Sequence, residues 1–307
     1  MDMRSVKSVE NVNYYQVDNE VRRIFSLEGV EVLSIVDAWE KYDWVREYFE
    51  KKPIGGYFVW IKKQIDAPIS TCVGIASKKI DQNLCNLLVV EKNIKVKGSV
   101  FCFAFRKNLN SKHSAKGKIL LKENSSIDYA HFHAFGFSDS VFMDYEFFLE
   151  KGSKLEYIYK NMGAPVFLER KMNFLIGENA SVANKSIIVG TKSNVKIFDS
   201  AFLNGRNSSV IMKLRLVGRE KSTFDSSTQI FGKEESKGHL DCQGLIVDSF
   251  SKISLTPKLV VENKKSILTH EASIGRINEE QLNYLRARGL SEKEAINLIV
   301  NGFISID

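Results

Sequence analysis

The chain is short of several things, and each shortage narrows what it can be. No part of its 307 residues is an uncharged apolar run near the roughly 18 residues of a membrane-spanning helix, so a helical span is excluded. The start, Met1-Asp2-Met3-Arg4, has no apolar stretch of the secretory kind, and a cytosolic protein is the expectation. Cysteine is scarce: Cys72, Cys85, Cys102 and Cys242 lie far apart and form no Cys-x-x-Cys pair. That argues against a disulfide framework or a zinc ribbon and for four reduced thiols. There is no Walker A loop, nucleophile elbow or dinucleotide fingerprint, so energy for any work has to come from a partner. A basic stripe is missing too. The net charge of +7 would suit nucleic acid, but lysine and glutamate are interleaved in runs such as Glu91-Lys92-Asn93-Ile94-Lys95-Val96-Lys97. The reading is a lysine-rich surface with only four prolines in the chain and no nucleic-acid partner.

What is present is a 44% apolar composition, enough for one elongated domain or two compact ones. Residues 1–68 read as a mixed helical and strand cap, with helical spacing in Val21, Ile24 and Phe25 and again in Val36, Trp39, Trp44 and Val45. From Ile69 the pattern changes to short strands of about three to six residues bounded by Gly, Asn, Ser or Lys, such as Cys72 to Ile75, Ile94 to Val96 and Val100 to Phe105.

These strands hide a repeat. A small polar residue or lysine followed by an apolar one marks Ser126-Ile127, Ser140-Val141, Lys154-Leu155, Ser181-Val182, Asn194-Val195, Ser209-Val210, Thr223-Phe224, Lys252-Ile253 and Ser266-Ile267. The intervals are one or two units of about 14 residues. One unit has too little apolar surface to stand alone, so units stack, and the expected fold over 69–275 is a mainly β, right-handed parallel β-helix. A β-sandwich is the rival, though about 200 residues is long for one.

After Gly275 the pattern turns helical over 276–307. Asn278 caps a helix through Arg288, with Gln281 at the capping-box position and Gly289 as terminator; Ser291-Glu292-Lys293-Glu294 opens a second helix that stops at Gly302. That helix is apolar around much of its circumference (Ala295, Ile296, Leu298, Ile299, Val300, then Phe303). It serves either as a partner face or as a cap over the end of the solenoid.

Chemistry gathers in two places. Gly238-His239-Leu240-Asp241-Cys242-Gln243-Gly244-Leu245 and Thr269-His270-Glu271-Ala272-Ser273-Ile274-Gly275 bring one thiol, one imidazole and one carboxylate within two repeat units. That mixed donor set suits iron or an iron–sulfur cluster held transiently. Cys102, inside Val100-Phe101-Cys102-Phe103-Ala104-Phe105, is either an inert core thiol or one whose ionisation His113 and His133 assist. His131 and His239 read as solvent-facing or hydrogen-bonded, with His239 close enough to Cys242 to tune it. Cys72 and Cys85 read as structural.

The run 238 to 245, Pro257, His-Glu-Ala-Ser-Ile-Gly-Arg-Ile at 270 to 277, Tyr-Leu-Arg-Ala-Arg-Gly-Leu-Ser-Glu-Lys-Glu-Ala at 284 to 295 and Leu-Ile-Val-Asn-Gly-Phe at 298 to 303 resemble the C-terminal half of SufB and SufD. These are paired scaffolds of Suf iron–sulfur cluster assembly, and the similarity runs more weakly back to about Pro68. The resemblance implies a right-handed β-helix and a non-enzymatic scaffold that dimerises through its β-helices. It also implies C-terminal helices that engage an ABC-type ATPase, SufC, here through Tyr284, Leu285, Arg288, Ile296, Ile299, Val300 and Phe303.

Cys242 matches the interface thiol of SufB, His270 the interface histidine of both relatives, and Glu271 the carboxylate that follows it. SufB has an acidic residue just before that histidine, where this chain has Thr269. The spacing of Cys102, His113 and His133 is similar to the segment holding the sulfur-accepting cysteine, with Phe101 in place of the usual glycine. The compact length suggests an archaeal type that forms a homodimer or pairs with a paralogous subunit; no flavin signature is present. A β-helical carbohydrate-active enzyme would need clustered carboxylates on one face, and a purely structural subunit would tolerate loss of Cys242 and His270.

Overall fold

The computed structural model describes residues 12–305. Among them no helix is long and apolar enough to cross a membrane. The chain begins with β1 (Tyr14–Val17), β2 (Glu20–Ile24) and β3 (Val30–Ser34), continues through α1 (Ile35–Lys41), α2 (Asp43–Arg46) and β4 (Tyr57–Ile61), and then becomes almost wholly β. Strands β5 (Ile69–Ile75), β6 (Asp81–Val90), β7 (Lys95–Ala104), β8 (Lys112–Leu121), β9 (Ser126–Ala134), β10 (Ser140–Leu149), β11 (Lys154–Asn161) and β12 (Phe167–Ile176) follow. They lead into β13 (Ser181–Thr191), β14 (Asn194–Leu203), β15 (Ser208–Arg219), β16 (Thr223–Gly232), β17 (Ser236–Ile246), β18 (Lys252–Val261) and β19 (Ile267–Arg276). Helices α3 (Glu279–Ala287) and α4 (Glu292–Ile304) close the chain.

From β4 on, strands alternate between two sheets. Odd strands stack in the order β19-β17-β15-β13-β11-β9-β7-β5-β1, with β2 added at the end, and even strands in the order β18-β16-β14-β12-β10-β8-β6-β4, with β3 added at the end. Pairing within the stack is parallel, with Ser126, Lys154, Ser181 and Ser209 falling in one register column. The 14-residue unit is therefore one strand with its turn, and two units make one coil of a parallel β-solenoid. The two units without a marker are β12, which opens on Phe167-Leu168, and β17, which opens on Ser236-Lys237-Gly238.

The strands are longer than the sequence suggests, about ten residues each, because residues read as breaks lie inside them. Gly98 sits in the middle of β7, where a Cβ would lie 3.0 Å from the ring of Tyr129 on the next coil. Turns are made instead by residues with positive φ, such as Asn93, Asn124, Asn179 and Asn207. Asn207 donates to Asn179 on the neighbouring coil at 3.1 Å. Outward lysines and carboxylates pair between coils, as in Lys118–Glu146 at 2.7 Å and Lys122–Glu150 at 2.8 Å. Each such pair contributes at most about 1 kcal/mol.

At the N-terminal end the helical spacing of Val21, Ile24 and Phe25 misleads: residues 20–24 are strand β2. Asp18, at φ +54°, starts a two-residue turn that folds β2 back antiparallel on β1. Helices α1 and α2 form as their spacing suggests and pack Ile35, Ala38 and Val45 on the outer face of the even sheet, against Phe58, Leu87, Val89 and Leu120. At the C-terminal end Asn278 caps α3 through the Glu280 N–H, and Ser291 with Glu294 forms a reciprocal capping box on α4. Gly289, at φ +96°, ends the first helical segment, while α4 continues past Gly302 to Ile304.

Candidate functional site

The last coil of the solenoid is open. Strand β18 alternates between exposed and half-buried, and β19 is exposed along almost its whole length. Both are terminal in their sheets, but they differ as edges. Pro257 removes a backbone donor from the middle of β18, as an edge strand tolerates, whereas β19 contains no proline.

In β17, Leu240 and Cys242 face inward and Asp241 faces out. Cys242 pairs in register with Ala272 of β19, Leu240 with His270, and Asp241 with Glu271. The thiol and the His270 imidazole thus share the inner face, two positions apart along the ladder, while Glu271 leaves on the outer face beside Asp241. The last repeat has slipped by one. Ile267, where the marker places an inward residue, is 60% exposed, and Leu268 takes the inner position instead. His239 is not near the thiol: three residues apart, the two lie on opposite faces, and His239 is bonded to the Thr269 hydroxyl at 2.7 Å. Asp241 is held by Arg215 through two bonds of 2.9 and 2.6 Å.

Cys242 is buried, and burial pushes its thiol up to about 11, with a Thr228 hydrogen bond acting in the opposite sense. In the isolated chain at neutral pH it is a thiol, and ionisation waits for a cation or a pH near that value. Anaerobic alkylation of Cys242 by iodoacetamide, followed by mass spectrometry, is expected to accelerate about tenfold per pH unit from pH 7 to 10. A rate already at its plateau at pH 8 would contradict this environment.

The second group lies deep inside. Cys102 on β7 pairs in register with His133 on β9, and His131, two residues before His133, shares the inner face with it. All three are buried. The His131 Nε2 stands 4.0 Å from Cys102 Sγ and 2.9 Å from His133 Nε2. The Tyr157 hydroxyl meets His131 Nδ1 and the Tyr159 hydroxyl meets His133 Nδ1, each at 3.1 Å. His113, from the facing even sheet, lies edge-on to His133 with ring centroids 5.5 Å apart, and its Nδ1 is bonded to Gln82 Oε1 at 2.7 Å.

Burial holds His113 and His131 down to about 3, His131 with help from the charges of His113 and Arg170, and holds His133 well below its ordinary value for the same reasons. The Cys102 thiol is pushed far up by burial. Sequence spacing points to Cys102, His113 and His133; of the two alternatives for His131, solvent-facing or hydrogen-bonded, the structure has the second, with the ring fully buried. The His131-Phe132-His133 alternation was the signal that both imidazoles share one face. Five ladder steps separate β7 from β17, about 24 Å at roughly 4.8 Å each, so the two thiols are separate centres.

The helices lie on the flank of the stack and leave its end uncovered. Val300 packs on Val217 and Leu245 at the strand ends, with Ile296, Ile299 and Phe303 around it, and Arg219 holds Asn297 at 3.3 Å. Val300 is therefore turned toward the solenoid. Among the other residues assigned to a partner, Tyr284 is 60% exposed with Arg288 over its ring, and Leu285 and Ile299 line a shallow groove with Glu280, Gln281 and Tyr284. Leu298, 52% exposed, is an outward apolar residue the sequence reading did not assign.

Residues 75–303 match the family model described as "SUF system FeS cluster assembly, SufBD core domain". The chain is 28% identical over 306 residues to an iron–sulfur cluster assembly SufBD family protein of Methanothermobacter thermautotrophicus, covering 91% of this chain and 74% of that one. It is 28% identical over 321 residues to a protein of the same description from Archaeoglobus fulgidus, covering 98% and 86%. A third relative, from Methanocaldococcus jannaschii, is 30% identical over 248 residues, covering 77% and 76%. The match runs from the first full coils through the last helix, and the chain belongs to the SufBD family of iron–sulfur cluster assembly proteins.

Proposed function

We propose that the chain is a non-enzymatic scaffold on which iron and sulfide combine into a nascent cluster at the open C-terminal coil. The observation that carries this reading is the sharing of one inner face by Cys242 and His270, at an edge that nothing among the described residues covers. Thiolate and imidazole bind iron without locking it in place, which suits a cargo that must leave. Two exposed apolar residues of β19, Ile267 and Ile274, and its free backbone groups fit a second copy or a paralogous subunit, which supplies the missing donors from its own edge. Glu271, on the outer face, joins the donor set only where such a partner wraps the edge.

The groove between α3 and α4, with Tyr284, Leu285 and Ile299, is the docking face for a SufC-like ABC-type ATPase, whose closure would open or release the site; Arg288, Ile296 and Phe303 support that face. Cys102, with His113 and His133, is the candidate sulfur acceptor, and its burial requires the solenoid to open before a donor reaches it. The sulfur donor is one the chain does not itself define.

The test is anaerobic reconstitution with iron and sulfide, counting both per dimer and recording absorption and Mössbauer spectra for wild type, Cys242→Ser and His270→Ala. Wild type is expected to gain a cluster and both variants to lose it. Equal loading in all three would move the ligands elsewhere, with Cys102 next. No loading even with the ATPase present would end the scaffold reading in favour of a structural role.

A further inference from the structure

The buried cluster around Cys102 has a geometry the sulfur-acceptor reading does not require. Two imidazole nitrogens, Nε2 of His131 and Nε2 of His133, point at each other 2.9 Å apart, with Cys102 Sγ 4.0 Å from the first. All three donor atoms lie within 4.8 Å of one another. If both rings carried their proton on Nδ1 and donated to the tyrosine hydroxyls, two lone pairs would face each other. With both rings neutral, relief requires one proton between the two Nε2 atoms, the ring that donates it accepting from its tyrosine hydroxyl at Nδ1. A metal ion resolves the same conflict in another way, with both rings taking the Nδ1–H form and Tyr157 and Tyr159 accepting from them. Hydrogen bonds from the distal nitrogen of a ligating histidine fix its tautomer and orientation in this manner.

The separations suit a small adjustment onto one ion. Metal–sulfur and metal–nitrogen distances of about 2.3 and 2.0 Å place donor atoms roughly 3.3–3.5 Å apart in a tetrahedral site and somewhat farther apart in a trigonal one. A second observation points the same way: His113 Nε2, from the opposite sheet, is buried and has no hydrogen-bond partner. Its Nδ1 is committed to Gln82, so the orphaned atom is a lone pair, on a ring whose centroid lies 5.5 Å from that of His133.

We propose that Cys102, His131 and His133 form a soft-metal site that takes Cu(I). Charge selects the ion. The three donors include no carboxylate, and the nearby Arg170 guanidinium is already matched by its ion pair with Asp199, so the thiolate is the one uncompensated negative charge the site can offer. A thiolate, two neutral imidazoles and a monovalent cation sum to zero, whereas a divalent ion would leave a buried positive charge. Thiolate and imidazole without oxygen donors also suit a soft cation. Binding replaces the thiol proton by the metal and releases that proton to solvent, with no change of oxidation state. A metal bound here and a sulfur atom carried on Cys102 exclude each other.

The test uses the full chain carrying Cys242→Ser, so that the edge thiol does not contribute, titrated anaerobically with Cu(I) against a competing chelator. One equivalent per chain is expected, with an X-ray absorption spectrum showing one sulfur and two nitrogen neighbours. Adding Cys102→Ser or His133→Gln should abolish retention. Tyr159→Phe, which leaves every ligand in place, should weaken it about tenfold. Circular dichroism checks that each variant folds. The proposal is overturned if the parent retains no Cu(I), if Cys102→Ser retains as much, if the spectrum lacks the two nitrogens, or if equimolar Zn²⁺ displaces the ion. Cluster loading at Cys242 and His270 plays no part in the readout, so this site and the scaffold reading fail separately.

Discussion

Asp199→Ala is expected to destabilise the chain by about 3–5 kcal/mol, because it strands a guanidinium in the solenoid core. Arg170 is completely buried and Asp199 is 2% exposed. The two are joined by a short ion pair, and Arg170 also donates to Ser186 Oγ at 2.9 Å. Removing both charges is a different experiment. Arg170→Met with Asp199→Leu replaces the pair by apolar groups of similar size and is expected to return most of the lost stability, since desolvating two ions offsets much of their attraction. Asp199 Oδ1 and Arg170 Nε have no hydrogen-bond partner, which weakens the pair further as a source of stability. Urea unfolding followed by circular dichroism measures both. A single variant within about 1 kcal/mol of wild type, or a double variant worse than the single, would contradict the assignment.

Acid is expected to be the chain's main weakness. Unfolded, each histidine protonates near 6.5. Folded, His113 and His131 stay neutral to about 3, and burial holds His133 well below its ordinary value too. Above the unfolded value both states are neutral and stability does not vary with these groups. Below it the unfolded chain binds protons that the folded chain refuses, so stability falls as pH falls. His113 and His131 together give a limiting slope of about 3 kcal/mol per pH unit and a loss of roughly 4 kcal/mol by pH 5, and His133 adds to it in the same direction. That is comparable with the whole stability of many domains, about 5–15 kcal/mol. The urea midpoint should be flat from pH 8 to 7 and drop steeply below 6, and His113→Gln should reduce the slope by about a third. A midpoint unchanged down to pH 5 would mean that the rings are hydrated in the folded chain.

The solenoid was legible because its strands begin alike. At most of them a small polar residue or lysine ends the turn and the apolar residue after it enters the core, a local requirement that recurs often enough to show the period. What was not legible depends on parity and on partners from other coils. His131 looks peripheral until its strand is known to face inward at odd-numbered positions. Ser266-Ile267 keeps the spacing of the repeat while the register slips by one, which places His270 inside and Glu271 outside. The Arg170–Asp199 pair joins residues 29 apart, and nothing local to either announces it. Position 98 shows the same limit. A glycine reads as punctuation, yet here it makes room for a tyrosine from the next coil.

The two ends of the stack differ in a way that limits growth. At the start, the parallel ladders finish in the antiparallel strands β2 and β3, and β2 carries Glu20, Arg22 and Arg23. At the other end, among the described residues, only β19 offers an unblunted edge, since β18 carries Pro257. A copy added head to tail would meet mismatched strand directions at one end and a missing donor at the other. Two copies meeting edge to edge through β19 leave no equivalent edge for a third. The same asymmetry that leaves a single edge open thus guards a long stack of parallel strands against polymerising into a fibre.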